Sequence, residues 1–153
     1  MKRRLLCVGK IREPYVAEAV TDFMQRLRRY EAVEIVEVPA SHATDPARAI
    51  RDETAAILKR IDESDAVWLL ERSGTELSST ELSVRLRELA HAGTRSLVLV
   101  IAGTFGAGDA LLARADFQWS LSRLTLLHEW ARALVLEQLY RAAKIERGEP
   151  YHH

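Results

Sequence analysis

The stretch VLVIAGTFGAG, residues 98–108, sets four β-branched or leucine residues directly against a loop holding Gly103, Gly106 and Gly108. A short apolar run closed by glycine reads as a buried strand. Glycines at its end let the chain turn with positive φ and let a ligand come close to the main chain. No Gly-Lys-Ser/Thr follows, so this is not a phosphate loop. Nor is it a dinucleotide fingerprint, which follows the first strand of its unit and needs an acidic partner about 20 residues on. This loop follows the fourth strand of the chain. On these residues alone, a tight strand-to-helix turn and a ligand-binding loop are both open readings.

Outward from this loop the same unit recurs. Short apolar runs predict strands at Leu5–Val8, Val33–Val38, Ala66–Glu71, Ser96–Ile101 and Trp119–Leu124. Helices fit between them. One runs from Pro14, suited to a first helical position, to Tyr30, and a second from Asp45-Pro46 to Ile61. A third opens on a capping box, Ser78 with Glu81, and stops at Gly93. A short one covers Gly108–Ala115, and the last covers Glu129–Arg147 before Gly148. The alternation predicts one α/β domain over residues 1–153, a mostly parallel sheet with helices on both faces. Ligands in such sheets bind beyond the carboxyl ends of the strands. That singles out the loops Leu70–Ser78, Ala102–Gly108 and Ser122–Trp130.

A chain of 153 residues, 48% hydrophobic and 29% charged, has the makings of one hydrophobic core. The lone Cys7 excludes an internal disulfide and an all-thiolate zinc site, and fits a reducing compartment. The apolar run Leu5–Val8 is too short for a secretory core of about 7–15 residues, and nothing reaches membrane-spanning length. A cytoplasmic protein is expected. His42, His91, His128, His152 and His153 fall in no metal-ligand spacing, so no metal is expected, and no nucleophile elbow supports a hydrolase. The net charge of zero argues against wholesale binding of polyanions. Yet residues 1–30 carry eight Lys/Arg against three acids, +5, which leaves −5 for the remainder. That reads either as a solvated helix face or as a phosphate-contacting patch.

Four stretches then combine: VGKI (8–11), the glycine loop, WSLSRLTLLH (119–128) and LEQLYRAAKIERGEPYH (136–152). Together they resemble the bacterial large-subunit (23S) ribosomal RNA pseudouridine N3-methyltransferases, of the SPOUT class, over the whole chain. The resemblance implies a deep C-terminal trefoil knot, an exception to the rule that chains do not thread loops. It also implies a homodimer in which the partner subunit completes each site, and S-adenosylmethionine (SAM) bound in the knot. Carried over by position, the cofactor would lie on Leu70, Glu71, Gly103, Gly106 and the run Ser122, Arg123, Leu124, Thr125, Leu126 and Leu127. The implied substrate is 23S rRNA in the large subunit or the whole ribosome. Departures from the family pattern are Ala102 in place of the first of two glycines, Thr104-Phe105 after them, Leu127 in place of proline, and Glu129-Trp130.

Methyl transfer from a sulfonium is an in-line displacement, so positioning supplies much of the rate. The N3–H of pseudouridine must also lose its proton. His152, with an unperturbed pKa of about 6.5, suits the base, and Tyr151 suits stacking on the target base. His128 follows the cofactor loop and joins the catalytic set. Arg132, with Arg141 nine residues on, either grips RNA phosphates or uracil carbonyls, or pairs with Glu129 or Glu137 on a solvated face. Ala131, Leu134, Val135, Leu139 and Ala142 recur at helical spacing as core or dimer seam. Two rivals stand beside this reading: a knotted RNA-binding dimer without catalysis, and the same chemistry on transfer RNA.

Overall fold

The computed structural model describes residues 1–151, so the expectations for His152 and His153 fall outside it. Five strands, β1 (Lys2–Val8), β2 (Val33–Val38), β3 (Ala66–Glu76), β4 (Ser96–Ile101) and β5 (Phe117–Ser120), form one parallel sheet in the order β2-β1-β4-β3-β5. Between and after them run α1 (Pro14–Leu27), α2 (Pro46–Leu58), α3 (Ser79–His91), α4 (Asp109–Arg114) and α5 (His128–Glu146).

Period-two alternation sorts the strands onto two cores. Leu5, Cys7, Leu97, Leu99 and Ile101 pack with Val16 and Val20 of α1, Leu82 and Leu86 of α3, and Val135 and Leu139 of α5. Leu6, Val8, Val98 and Val100 turn the other way, onto Ile57 of α2 and Leu111 of α4. Helices therefore cover both faces, as the alternation predicts. The central β4 is buried on both sides, which is why it reads as a continuous apolar run.

Helix ends follow the local chemistry. The capping box forms in full: the Glu81 N–H donates to Ser78 Oγ at 3.2 Å, and the Ser78 N–H donates to Glu81 Oε2 at 2.7 Å. At the far end of α5, Gly148 takes φ +68°, and the N–H groups of Gly148 and Glu149 donate to the carbonyls of Ile145 and Lys144. That is a Schellman cap. It turns the chain so that Tyr30 Oη donates to Glu149 at 2.7 Å. Helices α1 and α2 end at Leu27 and Leu58, short of the expected Tyr30 and Ile61.

Strand β1 starts at Lys2, ahead of the expected Leu5, and two further departures shape the site. Strand β3 continues to Glu76 instead of stopping at Glu71, and Trp119 of β5 pairs with both Leu70 and Thr75. Residues 71–74 are thereby squeezed out as a bulge. Gly74 permits it, because a Cβ there would lie 2.5 Å from the Gln118 carbonyl oxygen. Strand β5 spans Phe117–Ser120, not Trp119–Leu124. Ser120 Oγ donates to the Arg72 and Ser122 carbonyls, and the Leu124 N–H donates to Ser122 Oγ at 3.0 Å. Serine side chains take over the bonds that a ladder would have made, and the strand ends there.

Of the basic residues near the N-terminus, Lys2, Arg3, Arg4 and Arg26 are ion-paired with Glu34, Glu31, Asp65 and Asp22. Four of the eight basic side chains of residues 1–30 are thus answered within the fold.

Candidate active site

Three of the chain's loops meet beyond the carboxyl ends of β3, β4 and β5 around a cavity of about 340 Å³, within the usual size of small-molecule sites. The β3 bulge contributes Leu70, Glu71 and Arg72, the loop after β4 contributes residues 101–107, and the loop after β5 contributes Leu121, Ser122 and Leu124–Leu126. Trp119, His128 and Ala131 complete the wall. The glycine loop closes on itself: the Gly106 N–H donates to the Gly103 carbonyl at 3.0 Å, with Gly106 at φ +89°. Arg72 Nη1 donates to Thr125 Oγ1 at 2.7 Å and ties the bulge to the loop after β5.

Nine residues expected at the site line this cavity: Leu70, Glu71, Gly103, Gly106, Ser122, Leu124, Thr125, Leu126 and His128. Arg123 does not. Its side chain is 91% exposed and reaches toward Glu76 at 3.7 Å. Leu127 lies just outside the wall, where its carbonyl accepts the first bond of α5 from Ala131. Tyr151 is also elsewhere. Its hydroxyl lies 3.5 Å from Thr80 Oγ1, and its carbonyl accepts from Arg141, which is itself paired with Glu137.

Arg132 corrects both expectations. It is neither on a solvated face nor in the cavity wall, but fully buried. Its Nη2 donates to the carbonyls of Val8 at 3.0 Å and Gly9 at 2.8 Å, and its Nη1 to Glu37 Oε1 at 3.0 Å. Glu129, one turn earlier, is also buried and accepts from the N–H groups of Arg12 and Glu13 at 3.1–3.2 Å. Burial works against that carboxylate, but the two N–H groups together with the charges of His128 and Arg132 outweigh it and hold its pKa below the ordinary range. The first turn of α5 thus pins the chain between β1 and α1. Neither set of contacts was legible from spacing, because the backbone partners lie more than a hundred residues away and Glu37 lies 95 away.

His128 stands between two cavities. A smaller one, about 260 Å³, is lined by Gly9, Lys10, Arg12, Glu53 and Glu129 and shares Gly103, Thr104 and His128 with the first. Burial lowers the His128 pKa below 6.5, Arg132 and Arg12 adding to the effect against the pull of Glu129 and Glu53. The imidazole is therefore neutral near pH 7, with a free lone pair. Because the folded pKa is the depressed one, folding loses stability as pH falls below 6.5. An NMR titration should place the His128 midpoint under 6.5, and His128→Asn should flatten the acid limb of the stability profile. A midpoint above the free value would contradict the geometry.

The rim of the first cavity is apolar and open. Phe105, Leu124 and Leu127 are 48%, 73% and 50% exposed, and Trp130 packs beside Tyr15 with ring centroids 6.0 Å apart. Exposed apolar residues gathered in this way mark contact surfaces. Among the described residues no group of three or more His, Cys, Asp or Glu forms a metal-binding cluster, and no helix is long and apolar enough to cross a membrane.

Residues 1–152 match the SPOUT_MTase family, described as "Predicted SPOUT methyltransferase". The ribosomal RNA large subunit methyltransferase H of Moorella thermoacetica is 40% identical, over 97% of this chain and 96% of its own length. That of Acetivibrio thermocellus is 37% identical over 99% of both chains. Among solved structures, the SpoU methyltransferase AviRb of Streptomyces viridochromogenes, in complex with AdoMet, is similar at a TM-score of 0.47 and 12% identity, over 96% of this chain and 58% of that one.

Proposed function

Because the chain belongs to the SPOUT methyltransferases, we propose that it transfers a methyl group from SAM to N3 of a pseudouridine in large-subunit ribosomal RNA. The observation that carries this reading is the cavity itself, assembled by the same three loops that the sequence singled out. It suits the cofactor. Leu70, Ile101, Leu126 and Trp119 supply an apolar slot of the kind adenine requires, with main-chain donors and acceptors of the glycine loop at hand. The methionine part needs close approach to the backbone, which Gly103 and Gly106 allow. Ala102 adds one methyl group to the wall without closing it.

When bound, SAM supplies an activated methyl group on a sulfonium. The protein's own residues do the rest. The three loops orient that end and exclude water, and neutral His128 offers an acceptor beside the reaction space. In this reading His152 takes the N3 proton and Tyr151 holds the base. Tyr151 of the same chain is not in the cavity wall, which supports a homodimer in which the partner's tail reaches the site. The exposed apolar rim is the surface a second subunit would cover. Arg132 then acts by holding the β1–α1 connection in place and does not touch RNA. The C-terminal knot belongs to this same reading, and the enzyme would work where ribosomes are, in the cytoplasm.

Calorimetric titration tests the cofactor half of the proposal: SAM should bind saturably, one molecule per cavity. Absence of binding at millimolar cofactor would overturn it in favour of a non-catalytic RNA-binding dimer.

A further inference from the structure

Helix α2 supplies no residue to the cofactor cavity, yet two adjacent residues on it touch both ends of the glycine loop. Glu53 and Thr54 are 7% and 8% exposed. Behind Gly103, the Glu53 carboxylate fills the space a side chain would need: a Cβ at 103 would lie 2.2 Å from its Oε2. At the other end, the Gly108 N–H donates to Thr54 Oγ1 at 3.2 Å, and a Cβ at 108 would lie 2.7 Å from that oxygen. Glu53 Oε1 in turn accepts from the Ser41 N–H at 3.1 Å, which anchors the carboxylate to the β2–α2 connection. Its Oε2 has no hydrogen-bond partner among the described residues.

A buried carboxylate with one oxygen unpaired is costly, so stability alone does not account for Glu53. We infer that Glu53 and Thr54 are positioning residues for cofactor binding, holding the glycine loop from behind in the shape that receives SAM. Gly103 and Gly108 are glycines because α2 occupies the room their side chains would take. The inference rests on the methyltransferase reading and adds to it a pair of residues that never touch the cofactor.

The test measures the SAM dissociation constant by calorimetry and thermal unfolding on the same full-length variants. Thr54→Val keeps the shape and removes the hydroxyl, and should weaken cofactor binding about tenfold, the equivalent of one unsatisfied N–H. Thr54→Ser should restore it to within about twofold of wild type. Gly103→Ala should bind poorly in the wild-type background and recover about tenfold when combined with Glu53→Ala, because the collision is then relieved. Variants that lower the unfolding temperature but leave the dissociation constant unchanged would overturn the inference alone, as would strict additivity of the Gly103 and Glu53 changes. Failure of the wild-type protein to bind SAM would remove the methyltransferase reading, and this inference with it.

Discussion

Gly103→Ala should weaken SAM binding by about ten- to a hundredfold, the equivalent of the roughly 1–3 kcal/mol that overpacking costs. The added methyl group meets Glu53 Oε2 at 2.2 Å, its Cδ at 3.0 Å and its Oε1 at 3.2 Å, so it collides with a whole carboxylate. That carboxylate is held at its other oxygen by Ser41, so swinging it aside costs that hydrogen bond. Where the bond to Ser41 holds, the loop moves instead, and the loop is the cavity wall. Gly106→Ala is the control of opposite kind. Nothing lies within 4 Å of its added Cβ, but the backbone sits at φ +89°. It should incur backbone strain of about 1–2 kcal/mol, visible in the unfolding temperature. Calorimetry on the two variants separates crowding from strain. Equal and small losses of affinity would show that the loop is not the cofactor cradle.

Arg132→Ala should be the most destabilising single change at the site, by about 3–5 kcal/mol. It leaves the Val8 and Gly9 carbonyls without their donor, removes the partner of Glu37, and opens a void where the side chain was fully buried. For a chain of this size the melting midpoint should fall by about 10 °C. Arg132→Lys keeps the charge but not the fork that serves three acceptors, and should recover only part of the loss. Urea unfolding measures both. If Arg132 contacted RNA instead, the alanine variant would melt like wild type and lose affinity only for the ribosome.

Most of the architecture was legible before the structure. Element order, the capping box at Ser78 and the helix stop at Gly148 are local signals, written in residues that act on their own neighbours. Three features were not. The serines that end β5 look like ordinary strand-end hydroxyls until Arg72 is seen to lie within reach of Ser120. The β3 bulge left a trace, a glycine inside a strand pattern, which commonly marks a bulge or close backbone approach. Arg132 reads either as a grip on RNA or uracil or as a solvated ion pair, because charge at a helical position usually faces outward, and nothing in its neighbourhood announces two carbonyls at the end of β1. The α2 contacts left one usable sign. Glu53 sits between Ala49 and Ile57 at i, i+4 spacing, a carboxylate on the apolar stripe of its helix, where burial without a role is costly.

The family membership and the cavity converge on one activity, and the most direct test of it is transfer of labelled methyl from SAM, offering intact ribosomes, isolated 23S rRNA and transfer RNA side by side. The account predicts incorporation into the large-subunit RNA of ribosomes, mapping to N3 of a pseudouridine and lost in His152→Ala while cofactor binding stays near wild type. Incorporation into transfer RNA alone, or none into ribosomes by a protein that binds the cofactor, would contradict it.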